Sequence, residues 1–273
     1  MAEWLGTYYS ENFCLKETAT LTEEAFETGK SYYEVLRVID GICIFLEDHL
    51  NRLNESVLLD GLTFSLQLNP VSETIRELIR KNNLSEGNIR LVLQANDDTP
   101  GLFIYCVPFS YPEPGQYAAG VSTAVFQRVR SNPNIKLYDP LYQQQVTEFR
   151  AARNVYEVLL ADESGCITEG SRTNVFFILN NVLFTAPGEF ILKGITRQKV
   201  IQLCNELNYK VIEKSISIET LNTMEAVFLT GTSPKVLPVN AIDGQSFAPD
   251  HPMIWTLMEA YDRLISLERA RRA

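Results

Sequence analysis

The sequence predicts a mixed α/β or α+β protein with two subdomains, on three observations. Strand-like and helix-like segments alternate in the first third of the chain and again after residue 120. A stretch rich in proline and glycine, Ser110-Tyr111-Pro112-Glu113-Pro114-Gly115, separates the two series. The length of 273 residues is sufficient for two ordinary domains. We therefore expect an N-terminal α/β subdomain at 1–110, a linker at 111–118 and a C-terminal α/β subdomain at 119–273.

The N-terminal subdomain is predicted to contain four strands and two helices. β-Branched and aromatic residues predict the strands, at 31–38, 42–45, 88–94 and 101–108. Apolar residues at steps of three and four predict the helices, at 47–59 and 70–82. Asp40-Gly41 is expected to join the first two strands in a hairpin, and a polar turn at 96–100 to separate the last two.

The C-terminal subdomain shows the same two kinds of signal. Strands are predicted at 121–128, 155–161, 166–168, 175–179, 182–184, 210–212 and 225–229. Helices are predicted at 139–153, at 196–207 and from Pro252 onward. Asp139-Pro140 is a typical helix start, with an N-cap followed by proline in the first turn. Asn180-Asn181 predicts a two-residue hairpin turn.

Composition argues against several classes of function. The net charge of −10, without a basic cluster, argues against a nucleic-acid partner. No apolar run approaches the roughly 20 residues that span a bilayer, and the first four residues do not resemble a signal peptide. Five cysteines without CxxC pairing predict reduced thiols in a cytoplasmic protein. Because the two histidines, His49 and His251, are far apart, we expect no metal site.

Two residues are candidates for chemistry. Lys136 lies between Ile135 and Leu137 just before a predicted helix, where desolvation would lower the pKa of its amine and allow the neutral form to attack a carbonyl. The alternative is an ordinary surface lysine. Glu169 follows a strand and precedes Gly170, so it is either a turn carboxylate or a buried anion that holds a positive charge opposite it.

Three segments are candidates for binding an anion. Gly194-Ile195-Thr196-Arg197 opens a helix, where free backbone N–H groups face an anion unless Thr196 merely caps the helix. Thr230-Gly231-Thr232-Ser233 ends a strand with hydroxyls and amides around a glycine, which fits a phosphate cradle or a plain turn. Arg52 lies at the edge of the apolar face of its helix, as a bidentate phosphate ligand or as a surface ion pair.

Taken together, these segments resemble the fold-type IV pyridoxal-phosphate enzymes, which include branched-chain aminotransferase, D-amino-acid aminotransferase and aminodeoxychorismate lyase. The resemblance covers roughly residues 30–240. Its most specific part is Thr168-Glu169-Gly170-Ser171-x-x-Asn174-Val175-Phe176. Supporting segments, in the family's order, are Tyr33-Glu34-Val35-Leu36-Arg37-Val38-Ile39-Asp40-Gly41, His49-x-x-Arg52-Leu53-x-x-Ser56, Ile135-Lys136, Gly194-Ile195-Thr196-Arg197 and Phe228-Leu229-Thr230-Gly231-Thr232.

The resemblance implies a fold, a cofactor and an activity. The fold is that of D-amino-acid aminotransferase, with pyridoxal 5'-phosphate in the cleft between two subdomains, and the expected assembly is a homodimer. Lys136 would carry the cofactor as a Schiff base, and Glu169 would pair with its protonated ring nitrogen. The implied phosphate ligands are Arg52, Ile195, Thr196 and Thr232. The activity would be transfer of an amino group between an amino acid and a 2-keto acid.

The chain departs from the family beside two of these residues. After the lysine, the family has Thr or Ser and then Asn, whereas this chain has Leu137-Tyr138-Asp139-Pro140. The family's Leu-Pro-Gly-Ile-Thr appears here as Leu192-Lys193-Gly194-Ile195-Thr196. Neither departure removes a group that the chemistry needs.

The substrate pocket is less clearly defined. Residues 91–96 lack the Arg-x-His pair with which D-amino-acid aminotransferases bind the substrate carboxylate. We expect Tyr33 to form a pocket wall, with Arg37 and Arg90 as cations for that carboxylate, and Arg128 and Arg130 as further candidates. An aminodeoxychorismate lyase and a non-catalytic protein that retains the scaffold remain alternatives.

Overall fold

The structure is a computed structural model that describes residues 4–26, 29–95 and 100–272. It divides into two compact units, and neither is continuous in sequence. Unit 1 comprises Met1–Ser110, Ile135–Tyr138 and Ile265–Ala273, and unit 2 comprises Tyr111–Asn134 and Asp139–Leu264. Each unit is built on its own sheet, with helices packed on it, so the predicted mixed α/β class is confirmed.

Unit 1 is built on an antiparallel sheet of six strands in the order β2-β1-β6-β5-β3-β4. The strands are β1 Leu5–Glu11, β2 Cys14–Glu17, β3 Lys30–Ile39, β4 Ile42–Cys43, β5 Gly87–Ala95 and β6 Gly101–Val107. The helices are α1 Leu46–Leu59 and α2 Leu68–Lys81, and short 3-10 helices lie at Thr18–Thr20 and Glu23–Phe26.

The two faces of the unit 1 sheet have different neighbours. Alternation along β3 sends Tyr32 and Leu36 into the core that α1 and α2 close, together with Leu53 of α1. Tyr33 points to the opposite face, where it packs against a separate cluster that includes Val92, Phe103 and Tyr105. This second face carries the candidate substrate residues.

Most predicted elements of unit 1 are present, with two differences. The predicted strand at 42–45 ends at Cys43, because Phe45 adopts a left-handed φ of 54° and the chain turns directly into α1. Strands β1 and β2 were not predicted. Of the predicted turn at 96–100, residues 96–99 lie outside the described residues.

Unit 2 is built on a mixed sheet of ten strands. Nine follow the order β12-β11-β10-β14-β15-β7-β8-β9-β13, and β16 pairs with β15. The strands are β7 Val121–Gln127, β8 Glu157–Ala161, β9 Cys166–Gly170, β10 Asn174–Leu179, β11 Val182–Thr185, β12 Lys210–Glu213, β13 Ile216–Ser217, β14 Ala226–Gly231, β15 Lys235–Ile242 and β16 Gln245–Ser246. The helices are α3 Pro114–Ala119, α4 Pro140–Arg153, α5 Ile195–Glu206 and α6 Pro252–Arg272, with a 3-10 helix at Ile218–Thr223.

Local signals in unit 2 act as predicted. The Asp139 carboxylate accepts a hydrogen bond from the Tyr142 backbone N–H at 2.9 Å and so caps α4. Asn180 and Asn181 turn the β10–β11 hairpin with φ of 51° and 57°. Strand β15 was not predicted, and Pro238 in its middle explains why a strand signal is weak there. Within residues 4–26, 29–95 and 100–272, no helix has the length and apolar character needed to cross a bilayer.

Candidate active site

Lys136 belongs to unit 1 because its segment adds to the unit 1 sheet. The Tyr33 backbone N–H donates to the Lys136 carbonyl at 3.2 Å, and the Tyr138 N–H donates to the Ser31 carbonyl at 2.9 Å. Leu137 forms an antiparallel bridge with Tyr32 and packs against the core under α1 and α2. The loop that carries the candidate nucleophile is therefore held against β3 by an isolated bridge and two backbone hydrogen bonds.

The amine of Lys136 lies over an aromatic ring. Its Nζ is 4.4 Å from the centroid of the Tyr33 ring, and the Arg90 guanidinium carbon is 5.4 Å from the same centroid. The Tyr138 ring meets Tyr33 edge-on, with centroids 6.2 Å apart. Tyr33 is thus the common neighbour of two cations and a second aromatic ring.

The two arginines predicted for the substrate pocket share the sheet face of Tyr33. Arg90 of β5 lies directly across from Val35, so it is the diagonal neighbour of both Tyr33 and Arg37 on β3. On its other side, Arg90 lies directly across from Tyr105 of β6. No carboxylate among the described residues forms an ion pair with Arg90. This face therefore presents positive charge beside the amine of Lys136.

Arg52 lies in a buried ionic cluster with Glu34 and His49. Its Nε and Nη2 donate to the two carboxylate oxygens of Glu34 at 2.7 and 2.6 Å. The Nδ1 of His49 is 2.8 Å from Oε2 of the same carboxylate. Burial alone would raise the pKa of Glu34, but Arg52 and His49 together lower it to about 2. Burial lowers the pKa of His49, although the neighbouring Glu34 carboxylate acts to raise it. At neutral pH the Glu34 carboxylate is therefore bound by a charged guanidinium and a neutral imidazole.

Glu169 is a buried carboxylate of unit 2, as one of the two interpretations predicted. It is 3% exposed, and its Oε1 lies 3.1 Å from Nε of Arg130. Its Oε2 accepts a hydrogen bond from the Leu192 backbone N–H at 3.2 Å. Arg130, considered above for a substrate carboxylate, thus has a carboxylate of the chain itself as its partner.

The turn after Glu169 is held by a second buried carboxylate, which sequence reasoning missed. Glu157 of β8 accepts hydrogen bonds from the hydroxyls of Ser171 at 2.5 Å and Thr173 at 3.2 Å, and from the Arg172 N–H at 3.3 Å. A glutamate in an otherwise apolar predicted strand was the available signal. Tyr142, also missed, donates its hydroxyl to the Ser171 carbonyl at 3.2 Å.

The N-terminus of α5 has no side-chain cap. Gly194 occupies the N-cap position, so the alternative in which Thr196 caps the helix is wrong. Thr196 lies inside the first turn, with its hydroxyl 3.2 Å from the Tyr261 hydroxyl. A Cβ on Gly194 would lie 2.1 Å from Oδ1 of Asn174, whose Nδ2 donates to the Leu192 carbonyl at 2.9 Å. The close approach of Asn174 therefore requires glycine at this position.

The end of β14 lies beside Thr173 and Asn174, at the start of β10. Thr230 pairs with Asn174 across the sheet, and its buried hydroxyl has no hydrogen-bond partner among the described residues. A Cβ on Gly231 would lie 3.3 Å from Cγ2 of Thr173, and Thr232 follows in a partly exposed turn. Uncapped N–H groups and a hydroxyl without a partner fit an anion such as a phosphate group. The donors of unit 2 are thus suited to the phosphate that the sequence implied.

Known proteins share both the sequence pattern and the fold. The family model for amino-transferase class IV matches residues 31–242. D-alanine aminotransferase of Bacillus licheniformis is 31% identical over 246 residues, which cover 85% of this chain and 86% of that protein. The structure of the Escherichia coli branched-chain amino acid aminotransferase is 25% identical with a TM-score of 0.84, covering 96% of this chain and 95% of the other. The Thermoproteus uzoniensis branched-chain aminotransferase, solved with norvaline, is 25% identical with a TM-score of 0.81 and covers 95% of each chain.

Proposed function

Since this chain belongs to the class IV aminotransferase family and is an aminotransferase, we propose that it transfers an amino group between an amino acid and a 2-keto acid with pyridoxal 5'-phosphate attached to Lys136. Aminotransferases of this class use that cofactor. When bound, it supplies the electron sink that stabilises negative charge at the substrate Cα. The observation that carries the proposal is the fixed position of Lys136, with its Nζ 4.4 Å from the Tyr33 ring centroid.

Lys136 acts as the nucleophile and then as the base. Its backbone is held by pairing with β3, so its side chain alone has to move between the two tasks. Through Nζ, Lys136 would hold the cofactor covalently, as an imine formed at the cofactor's aldehyde with loss of water. Once free, the Lys136 amine would be the base that takes the proton from the substrate Cα.

We assign the phosphate of the cofactor to four residues. The N–H groups of Ile195 and Thr196 lie in the uncapped first turn of α5, where the helix dipole favours an anion. The hydroxyls of Thr196 and Thr232 add short-range donors, and Arg52 supplies the positive charge. The Thr230 hydroxyl, which has no hydrogen-bond partner among the residues that the structure describes, supports this assignment, because a buried donor without a partner is costly unless a ligand satisfies it.

We assign the ring nitrogen of the cofactor to Glu169. A carboxylate beside that nitrogen keeps its proton in place, and the proton is what makes the ring an effective electron sink. Both carboxylate oxygens of Glu169 have partners that orient the side chain: Arg130 contacts Oε1, and the Leu192 N–H donates to Oε2. Its orientation is therefore set by the protein before any ligand binds.

We assign the substrate to the aromatic face of unit 1. Tyr33 forms a wall beside the Lys136 amine, and Arg37 and Arg90 supply charge for a carboxylate. We also propose a homodimeric assembly, which light scattering on the purified protein measures directly.

Reduction with borohydride tests the proposal. The purified protein with added pyridoxal phosphate should absorb as an imine, and reduction should attach the cofactor permanently to the peptide that contains Lys136. The Lys136→Ala variant should bind the cofactor without permanent attachment. A Lys136→Ala protein that is still labelled by reduction would overturn the assignment of the nucleophile.

A substrate panel separates transfer from elimination. We expect 2-oxoglutarate to be converted to glutamate at the expense of D-alanine or a branched-chain amino acid. Pyruvate and 4-aminobenzoate released from aminodeoxychorismate without any keto acid would instead indicate the lyase, and would contradict the transfer reaction.

A further inference from the structure

The guanidinium of Arg52 is held by another side chain. Glu34 binds Nε and Nη2 in a bidentate pair, with N–O distances of 2.7 and 2.6 Å, and His49 holds one oxygen of the same carboxylate at 2.8 Å. Glu34 is 1% exposed and Arg52 is 8% exposed. A bidentate pair fixes the plane of the guanidinium as well as its position.

Burial energy alone does not explain this cluster. The neighbours of Glu34 on its face of β3 are Tyr32 and Leu36, both fully buried apolar side chains of the core. Apolar side chains of similar size often stabilise such a position as well as a buried ion pair does. An ionic cluster that orients one arginine so completely therefore indicates a role beyond packing.

The net charge of the cluster distinguishes two ways in which Glu34 could affect anion binding by Arg52, namely through its charge and through the orientation of the guanidinium. Glu34 is anionic and Arg52 cationic, while His49 is neutral at neutral pH, so the three side chains together carry no net charge. On charge alone, Glu34 weakens the attraction between Arg52 and an anion. On geometry, it strengthens binding by removing the freedom that a long arginine side chain would otherwise lose when it binds.

We propose that Glu34 is a positioning residue that holds Arg52 in the orientation needed for the cofactor phosphate, without contacting the phosphate itself. This inference rests on the proposed function, in which Arg52 is a phosphate ligand. Glu34 also follows Tyr33, whose N–H holds the Lys136 backbone, so adjacent residues of β3 fix the phosphate cation and the nucleophile.

Two related ligands make the effect measurable. Pyridoxal 5'-phosphate and pyridoxal share the ring and the aldehyde, but only the first has a phosphate. Their dissociation constants are measured spectroscopically for the wild type and for Glu34→Gln, with Glu55→Gln as the control. Glu55 is an exposed glutamate on the same helix as Arg52, so this control makes the same charge change outside the cluster.

We expect Glu34→Gln to weaken binding of pyridoxal phosphate by about tenfold or more. The amide has one oxygen in place of two, so it cannot keep the bidentate pair of hydrogen bonds from Nε and Nη2 of Arg52. Binding of pyridoxal should stay within about twofold of the wild type, as should both ligands for Glu55→Gln. In the Arg52→Gln background, Glu34→Gln should cause no further loss. Tighter binding of pyridoxal phosphate, equal loss for the two ligands, or additive losses in the double variant would each overturn the inference.

Circular dichroism and thermal melting establish that each variant is folded. If Glu34→Gln does not fold, Glu34→Asp provides the same test, because it keeps the charge but shortens the reach to Arg52. A wild-type protein that binds neither ligand would overturn the proposed function, and this inference with it. Wild-type binding that Glu34 does not influence would overturn the inference alone.

Discussion

The two units hold their candidate site residues by different physical means. In unit 1, the arrangement depends on buried charge, since Arg52 and His49 both bind the Glu34 carboxylate. In unit 2, it depends mainly on backbone groups and close contacts, such as the approach of Asn174 to Gly194. A change of charge in unit 1 should therefore disturb the position of a side chain, whereas a change of shape in unit 2 should disturb the position of the backbone.

Glu169 and Glu157 are exceptions that refine this contrast. Both are buried carboxylates of unit 2, but each binds backbone N–H groups as well as side chains. Glu169 orients the Leu192 peptide, and Glu157 orients the turn at Ser171. In unit 2 charge thus serves to fix the backbone, whereas in unit 1 it fixes a side chain.

The largest effect is expected from Glu169→Gln. The amide keeps the size of the side chain but removes the negative charge that we assign to the cofactor ring nitrogen, and it presents an NH₂ group toward Arg130 or Leu192. We expect kcat to fall by about 10²–10³-fold, while the dissociation constant of pyridoxal phosphate changes little. Steady-state kinetics and spectral titration measure the two quantities. Glu163→Gln, in an exposed turn of the same unit, is the control, and a variant with near wild-type kcat would refute the assigned role.

The free energy of unfolding at acid pH should depend on the ionic cluster of Glu34, Arg52 and His49 in unit 1. The pKa of Glu34 falls from 4.5 to about 2 on folding, so its contribution is complete above about pH 4.5 and is lost as the pH falls toward 2. The contribution is roughly 3 kcal/mol. Urea unfolding at several pH values should therefore show that Glu34→Gln is destabilised at pH 6, with a difference from the wild type that shrinks between about pH 4.5 and 2. A difference that stays constant across this range would contradict the ionised pair.

Local sequence signals accounted for much of the fold. Asp139 caps α4 and Asn180-Asn181 turns a hairpin, because each signal acts within four residues of itself. Strand β1, by contrast, pairs on one edge with the short strand β2 and on the other with β6, almost a hundred residues away, and its own sequence contains Gly6 and Ser10. The strand conformation of β1 therefore depends on pairing with neighbouring strands rather than on the β propensity of its own residues.

The candidate site was predictable to a similar degree. The motif around Glu169 identified a family, and the burial of that carboxylate agrees with one of the two interpretations. The partners of the charged residues were not predictable, because Glu34 meets Arg52 across 18 positions and Glu157 meets Thr173 across 16. The burial of Glu34 was overlooked because alternation along β3 does not reveal which face is buried, and that of Glu157 because all five residues of β8 are buried.

A smaller effect is expected from Glu157→Gln. The amide accepts fewer hydrogen bonds and turns an NH₂ group toward donors, so part of the set at Ser171, Arg172 and Thr173 is lost. We expect the free energy of unfolding to fall by about 2 kcal/mol, as measured by urea denaturation against Glu163→Gln. A change within about 0.5 kcal/mol, typical of surface substitutions, would mean that Glu157 does not hold the turn.

The smallest effect, and the test of shape in unit 2, is Gly194→Ala. Gly194 has φ of −59°, which any residue adopts, so only the Cβ position 2.1 Å from Asn174 Oδ1 opposes the change. The first turn of α5 must shift, and we expect pyridoxal phosphate to bind about tenfold more weakly, with little change for pyridoxal. Gly188→Ala is the matched control in the same loop, because its Cβ would meet only the side chains of Lys193 at 3.3 Å and Glu213 at 3.8 Å, without a clash. Equal affinities in the two variants would show that Asn174 yields without cost, and that the position of the helix terminus is not set by this contact.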